Sequence, residues 1–193
     1  MDGFWVARWG LVLGVGLLCG SGCIKRVGSV GQVPLAAADF VALKVGNRWL
    51  YDVTTLGQHH QQEVRIVDFK KGYFEDDLGG KWSVDSQGLR DEKRYLIEDP
   101  VIDGKQWSSV ISVSTTEHYR VVQAGGRCRV QAVTFSKCIR VVSTNRVDAS
   151  TTLSNEFTFA EHLGLVRIES IAEVNGRRIP QNLWELTSYS LEP

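Results

Sequence analysis

The feature that most constrains the fold of this chain is the short-range alternation of apolar and polar residues from Val41 onward. In "RWLYDVT", residues 48–54, the alternation places Trp49, Tyr51 and Val53 on one face, because successive side chains of a strand point to opposite faces. Apolar residues at helical spacing are not sustained over three turns anywhere in this region. The pattern therefore predicts a mainly β domain of about ten short strands in one antiparallel sheet, with one face wet, and argues against a βαβ fold.

The N-terminal part of the chain has the layout of an export signal. Residues 9–19 are apolar but fall short of the about 20 residues that a transmembrane helix needs. The following "GSGC", residues 20–23, resembles the lipobox of bacterial lipoproteins, although Gly20 stands where that pattern usually has Leu. We predict a signal peptide over residues 1–22 and lipidation at Cys23. An uncleaved signal anchor and plain secretion without a lipid are the alternatives, and Cys19 is interpreted as part of the apolar run.

The residues after Cys23 predict a tether and a membrane location. Residues 23–40 contain Gly28, Gly31 and Pro34 and no amphipathic period, and a flexible coil of this length spans roughly 20–25 Å. Ile24 is not the aspartate that retains lipoproteins in the inner membrane of enterobacteria. We therefore expect a periplasmic domain, residues 41–193, anchored to the outer membrane through its N-terminal lipid.

The charge balance bears on the partners of the chain. Lys and Arg together number 22, and so do Asp and Glu, so the formal net charge is zero. A neutral chain has no basic field with which to hold a phosphate backbone, and nucleic acid is therefore not an expected partner.

A second pair of cysteines lies within the β region. Cys128 and Cys138 are ten residues apart, and an exported protein meets an oxidising compartment in which disulfides persist. Alternation argues partly against pairing, because Cys128 shares an apolar face with Val130 whereas Cys138 shares its face with Arg140. A bulge near the turn would reconcile the two. We predict a Cys128–Cys138 disulfide, and a metal site is disfavoured because no further ligand follows at the right spacing.

Several phrases, taken in order, resemble a group of uncharacterised bacterial envelope proteins, many of them lipoproteins. The phrases cover residues 43–53, 96–109, 133–141, 157–170 and 183–189, and include "LKVGNRWLYDV" and "FTFAEHLGLVRIES". The resemblance implies an unclosed antiparallel β half-barrel, similar in shape to the periplasmic carriers that shuttle lipoproteins. This chain departs from the group at His162, where the group usually has glycine. The group carries no catalytic residues that could be transferred.

Three tryptophans within these phrases allow two interpretations. Trp49, Trp107 and Trp184 are large anchors that fill the concave side of a curved sheet. They are either ordinary core residues or part of an apolar groove for a lipid, peptide or polymer.

The sequence shows no convergent catalytic or metal-binding set. His59 and His60 are neighbours, which in a strand point to opposite faces, and are interpreted as exposed turn residues. The stretch 76–82 departs from a phosphate-binding loop and is interpreted as a hairpin turn. A calcium site at Asp99 and Asp103 is disfavoured. We therefore expect neither enzymatic activity nor a cofactor.

These observations lead to two functional hypotheses. The first is a non-enzymatic binding or accessory module of an envelope protein assembly, which would use exposed strand edges or loops. The alternative is a binder of a lipid or other apolar ligand in the concave face, which would need an apolar cavity that excludes water. A lipid anchor at Cys23 argues against a carrier that moves between membranes, and therefore favours the first.

Overall fold

The structure is a computed structural model and describes residues 34–193. The predicted signal peptide, Cys19 and Cys23 lie outside the described residues. The described chain begins with a single-turn 3₁₀ helix, Ala37–Phe40, and continues in twelve strands. The strands are β1 (Arg48–Thr55), β2 (Gln58–Lys70), β3 (Tyr73–Asp76), β4 (Lys81–Asp85), β5 (Gly88–Arg90), β6 (Tyr95–Glu98), β7 (Gln106–Ser112), β8 (Thr115–Val130), β9 (Val133–Arg146), β10 (Thr151–Ala160), β11 (Gly164–Val174) and β12 (Arg177–Ser190).

All twelve strands belong to one antiparallel sheet with the order β6-β5-β4-β3-β2-β1-β12-β11-β10-β9-β8-β7. Each strand pairs with its neighbour in the chain except at one point, between β6 and β7, and β1 pairs with β12 instead. The two edge strands are therefore consecutive in the chain and border an unsealed seam. The prediction of a single curved, unclosed antiparallel sheet is confirmed, with twelve strands instead of about ten.

One row of apolar side chains explains how the sheet curves around its core. In the register of the strands, Val53 lies opposite Trp184, and the row continues through Ile168, Phe157, Val141 and Val121. Six neighbouring strands thus place a large apolar residue at the same level of one face. We call this the inner face, and its burial provides the main stabilisation of the sheet.

The opposite, outer face carries ion pairs. Arg167 contacts carboxylates on three strands, Glu156 at 4.0 Å, Glu169 at 2.9 Å and Glu185 at 3.5 Å. Such partly exposed pairs contribute little to stability individually, but they show that this face is solvated, as the alternation predicted.

The core consists of two clusters on the inner face. In the first, residues of β5 and β6 such as Leu89 and Ile97 pack against Tyr119, Val121 and Ile139 on β8 and β9. In the second, Trp49, Tyr51 and Ile66 pack with residues of β9 to β12. The far end of the β2–β6 half therefore folds over the β8–β10 half.

The segment before β1 belongs to the domain, which corrects the predicted extent of the tether. Leu35 forms a bridge with Val101, and the N–H of Ala37 donates to Asp99 Oδ1 at 2.7 Å. Phe40 is fully buried in the first cluster. The tether predicted over residues 23–40 is therefore too long at its C-terminal end, because Leu35, Ala37 and Phe40 pack into the first core cluster.

Candidate functional site

The candidate site is an apolar cavity of about 370 Å³ on the inner face. It lies between the β1–β6 half of the sheet and strands β10 to β12, and the segment 41–43 contributes to its wall. The lining residues are Val41, Ala42, Leu43, Trp49, Tyr51, Val64, Ile66, Asp76, Leu78, Gly80, Trp82, Leu89, Leu96, Phe157, Phe159, Gly164, Leu165, Ile168 and Trp184. A volume of this size is within the range of about 300–1,000 Å³ that small-molecule sites occupy.

The polar tips of two aromatic wall residues, Trp49 and Tyr51, donate to backbone carbonyl groups. Trp49 Nε1 donates to the carbonyl oxygen of Leu163 at 3.0 Å, and the Tyr51 hydroxyl donates to that of Leu165 at 2.9 Å. Burial raises the pKa of Tyr51 well above its ordinary value, so its hydroxyl stays neutral. These two rings therefore present mainly carbon surface to the cavity.

The wall opens to solvent along several partly exposed apolar residues. Leu78, in the turn between β3 and β4, is 54% exposed. Val64, Phe157, Ile168 and Trp184 are half-buried, although they lie on the inner face. The ring of Trp184 meets that of Tyr51 edge-on with centroids 5.7 Å apart. The part of the cavity wall that solvent reaches is therefore mainly apolar.

Asp76 is the only carboxylate among the residues that line the cavity. It is 7% exposed and ends β3. Its Oδ1 accepts the backbone N–H groups of Leu78 at 3.0 Å and Gly80 at 2.7 Å, and its Oδ2 accepts Trp82 Nε1 at 2.8 Å. This is the turn chemistry expected of Asp, whose side chain bonds the backbone two residues later.

The structure brings two of the three predicted groove tryptophans together and separates the third. Trp49 and Trp184 line the cavity, whereas Trp107 does not. Trp107 stacks on Tyr119 in the first core cluster with centroids 5.2 Å apart, and its Nε1 donates to the carbonyl oxygen of Tyr95 at 2.9 Å. Because Trp107 is on β7 and Tyr95 on β6, this bond crosses the seam.

Sequence reasoning missed Asp76 and Trp82 as members of the site. Both lie in the stretch 76–82, which was interpreted only as a hairpin turn, and a turn does join β3 and β4 there. The available signal was the pair Gly80 and Trp82, a glycine closely followed by a tryptophan as at Gly46/Trp49 and Gly104/Trp107, although two residues apart instead of three.

The second pair of cysteines is joined in the structure. Cys128 and Cys138 form a disulfide with Cα atoms 5.9 Å apart. The pairing of β8 with β9 shifts register three times, between Val121 and Cys128, so that Cys138 lies opposite Gly126. These irregularities turn the two thiols toward each other in the way that a bulge was expected to.

The other residues considered for chemistry do not converge. Within residues 34–193, no group of three or more His, Cys, Asp and Glu side chains is placed to hold a metal ion. Asp99 Oδ1 accepts the N–H of Ala37, and Asp103 Oδ1 accepts that of Ala124 at 2.6 Å, so both carboxylates hold backbone. His59 and His60 are exposed as expected, but they lie in β2 and not in a turn.

In the part of the chain that the structure describes, no helix has the length and apolar character to cross a membrane.

Comparisons with known proteins give two loosely similar structures. No family model and no curated protein matches this chain. A protein of Bacteroides fragilis, described as a candidate exported protein with a YmcC-like fold, aligns with a TM-score of 0.45 and 12% identity over 78% of this chain and 98% of its own. A candidate lipoprotein of Parabacteroides distasonis aligns with a TM-score of 0.38 and 10% identity over 79% of this chain and 98% of its own. Neither similarity carries weight for the function of this chain.

Proposed function

We propose that this chain is a non-enzymatic, lipid-anchored envelope protein whose domain binds an apolar ligand in the inner-face cavity. The observation that carries the proposal is the cavity itself, with its apolar wall and its partnered polar atoms. Among the described residues, no buried side-chain nitrogen or oxygen lacks a hydrogen-bond partner. A water molecule needs two to four polar partners, which this wall does not offer, so an apolar ligand is the favoured occupant.

The physical driving force for such binding is the removal of apolar surface from water. Each buried CH₂ group contributes about 0.8 kcal/mol, so an alkyl chain that fills the cavity gains affinity without specific polar contacts. The half-buried rings of Trp184 and Phe157 at the opening are the surfaces that such a ligand would cover. Anchoring at Cys23 to the periplasmic face of the outer membrane, which is predicted from the sequence, would keep the domain near a source of such ligands.

The accessory role in an envelope assembly is a second candidate, supported by the edges at the seam. Among the strands of residues 34–193, none pairs with the outer edge of β7, and Val110 on this strand is 73% exposed. An exposed edge with apolar side chains can pair with a strand of another chain. The cavity favours the ligand-binding role over this one, because an accessory that docks through an edge has no use for it.

One experiment separates the two roles. Native mass spectrometry is applied to the full-length protein gently released from its own envelope, together with Ile168→Trp and Val110→Trp variants. Ligand binding predicts extra mass that is released on denaturation and is lost in Ile168→Trp, which fills the cavity, but not in Val110→Trp. A protein free of ligand but bound to other proteins, with binding lost in Val110→Trp, would support the accessory role and contradict the cavity proposal.

A further inference from the structure

The charge of the cavity wall is of one sign, and this bears on the head group of its ligand. Among the described residues that line it, Asp76 is the one acidic residue, and none is Lys, Arg or His. An anionic head group at this wall would meet a carboxylate with no lining cation to offset the repulsion, whereas a neutral donor or a cation would meet an acceptor.

The hydrogen bonds of Asp76 leave one acceptor site open. Two N–H groups are donated to Oδ1 and one to Oδ2, and the carboxylate donates none. An ionised carboxylate offers about four lone-pair sites on its two oxygens, so one remains, on Oδ2.

Gly80 allows the Asp76 carboxylate to pack closely against the backbone. A Cβ atom built on Gly80 would lie 2.3 Å from Asp76 Oδ2 and 3.0 Å from Trp82 Nε1, and Gly80 itself lines the cavity. Glycine at this position therefore lets Oδ2 and the indole meet at the wall, and a side chain at position 80 would displace the carboxylate.

From this geometry we propose the class of ligand: a single-chain amphiphile whose head group is a hydrogen-bond donor without negative charge, a hydroxyl or an ammonium. The alkyl chain occupies the apolar cavity, and the head group donates to Asp76 Oδ2. The cavity volume of about 370 Å³ lies at the low end of ligand sites, which favours one alkyl chain over two. The proposal rests on the function proposed above and specifies its ligand.

The test uses three brominated probes that share one alkyl chain and differ only in the head group: an alkylamine, an alkanol and an alkanoate. Each is titrated, below its micellar concentration, into the full chain held in the same mild detergent. Bromine quenches indole fluorescence on contact, and Trp49, Trp82 and Trp184 line the cavity, so quenching reports its occupancy. A hydrogen bond to a charged group predicts that the amine binds about tenfold or more tightly than the alkanoate, with the alkanol also tighter than the alkanoate.

Two variants make the assignment specific. Asp76→Asn removes the charge and places an amide N–H₂ or oxygen where Oδ2 was, and the preference for the amine is expected to vanish. Asp77→Asn is the matched control, because Asp77 lies in the same turn and bonds the N–H of Arg65 at 2.9 Å but does not line the cavity. The preference of the Asp77→Asn variant for the amine over the alkanoate is expected to equal that of the unaltered chain.

The outcomes distinguish this inference from the function on which it rests. If all three probes bind the unaltered chain equally, or if the alkanoate binds most tightly, the role of Asp76 is overturned while the apolar cavity remains a ligand site. If none of the three probes quenches the indole fluorescence of the unaltered chain, the cavity is not a ligand site and both proposals fail. The unaltered chain alone decides these outcomes, so misfolding of a variant does not protect the inference.

Discussion

At the scale of single residues, the backbone conformation at position 162 explains how this chain can have a histidine where the resembling proteins usually have glycine. His162 has φ +58 and is exposed, and its N–H donates to the carbonyl oxygen of Asp39 at 2.6 Å. Positive φ is where glycine is favoured, and glycine is the residue that the resembling envelope proteins usually have there. His is among the few other residue types enriched at positive φ, so the turn forms with it. The sequence flagged this position but could not show its backbone angle.

Gly88 combines a positive φ with a close backbone contact, and this makes a sharp prediction. Its φ is +139, and a Cβ atom built there would lie 2.0 Å from the carbonyl oxygen of Ile97. Because the obstacle is the backbone of the paired strand β6, no side chain can move aside. We expect Gly88→Ala to lower the free energy of unfolding by about 3 kcal/mol, from conformational strain and disruption of the β5–β6 pair.

Urea denaturation measures this loss, and Gly72→Ala is the matched control. Gly72 has φ +83 but meets no atom within 4 Å of an added Cβ, so the control carries the conformational cost alone, about 1 kcal/mol. Equal losses in the two variants would show that the contact with Ile97 contributes nothing.

At the scale of elements, the sequence predicted the strands better than their irregularities. Alternation identified β1, and turn residues separated β3 to β6, because these are local properties of the chain. The register shifts in β8 could not be predicted, because a bulge depends on how two strands pair and not on either strand alone. This is why alternation argued against the Cys128–Cys138 pair that the bulged strand β8 makes possible.

The disulfide between β8 and β9 is expected to stabilise the domain without shaping the cavity. It closes a short loop, and the chain-entropy model assigns such a bridge about 3 kcal/mol. Cys138 is fully buried in the second core cluster, and neither cysteine lines the cavity. We expect the Cys128→Ala, Cys138→Ala double variant to lose about 2–4 kcal/mol in urea denaturation and to bind the brominated alkanol as the unaltered chain does.

Reduction of the unaltered chain is the independent check on that variant. If the stability lost on reduction is much smaller than the loss in the double variant, the effect comes from the cavities left by the two alanines and not from the cross-link. A change in alkanol binding would show that the β8–β9 hairpin supports the cavity after all.

At the scale of the whole molecule, the seam and the cavity follow from contacts between strands far apart in the chain. The resemblance implied an unclosed sheet, which is confirmed, but not that β6 and β7 would border the opening. Side chains span that opening: Trp107 donates to the Tyr95 carbonyl, and Arg94 pairs with Glu117 on β8. A tryptophan that spans the seam and one that lines the cavity look alike in sequence, so Trp107 was grouped with Trp49 and Trp184.

The two core clusters of the inner face each contain a tyrosine with a raised pKa, and this sets the response of the molecule to alkali. Burial raises the pKa of Tyr51, and burial followed by the hydrogen bond to Glu117 raises that of Tyr119, both well above the value of about 10 in unfolded chains. Above pH 10 the unfolded state therefore loses protons that the folded state keeps. The stabilising contribution of both tyrosines is complete below pH 10 and declines as the pH rises toward the folded pKa values, by up to about 1.4 kcal/mol per pH unit for each.

Urea denaturation between about pH 9 and 11 measures this decline, and phenylalanine variants apportion it. Tyr51→Phe and Tyr119→Phe are each expected to lower the free energy of unfolding by about 1 kcal/mol at neutral pH, because each removes a hydrogen bond. Above pH 10, the free energy of unfolding of each variant is expected to decline less steeply than that of the unaltered chain. Tyr189→Phe, at a position that is 55% exposed on β12, is the control for removing a hydroxyl. If one cluster unfolds before the other as the pH rises, only the phenylalanine variant in that cluster would change the slope of the unfolding free energy against pH. Equal effects of both variants, with a single transition throughout, would show that the two clusters unfold as one unit, because both belong to one twelve-stranded sheet.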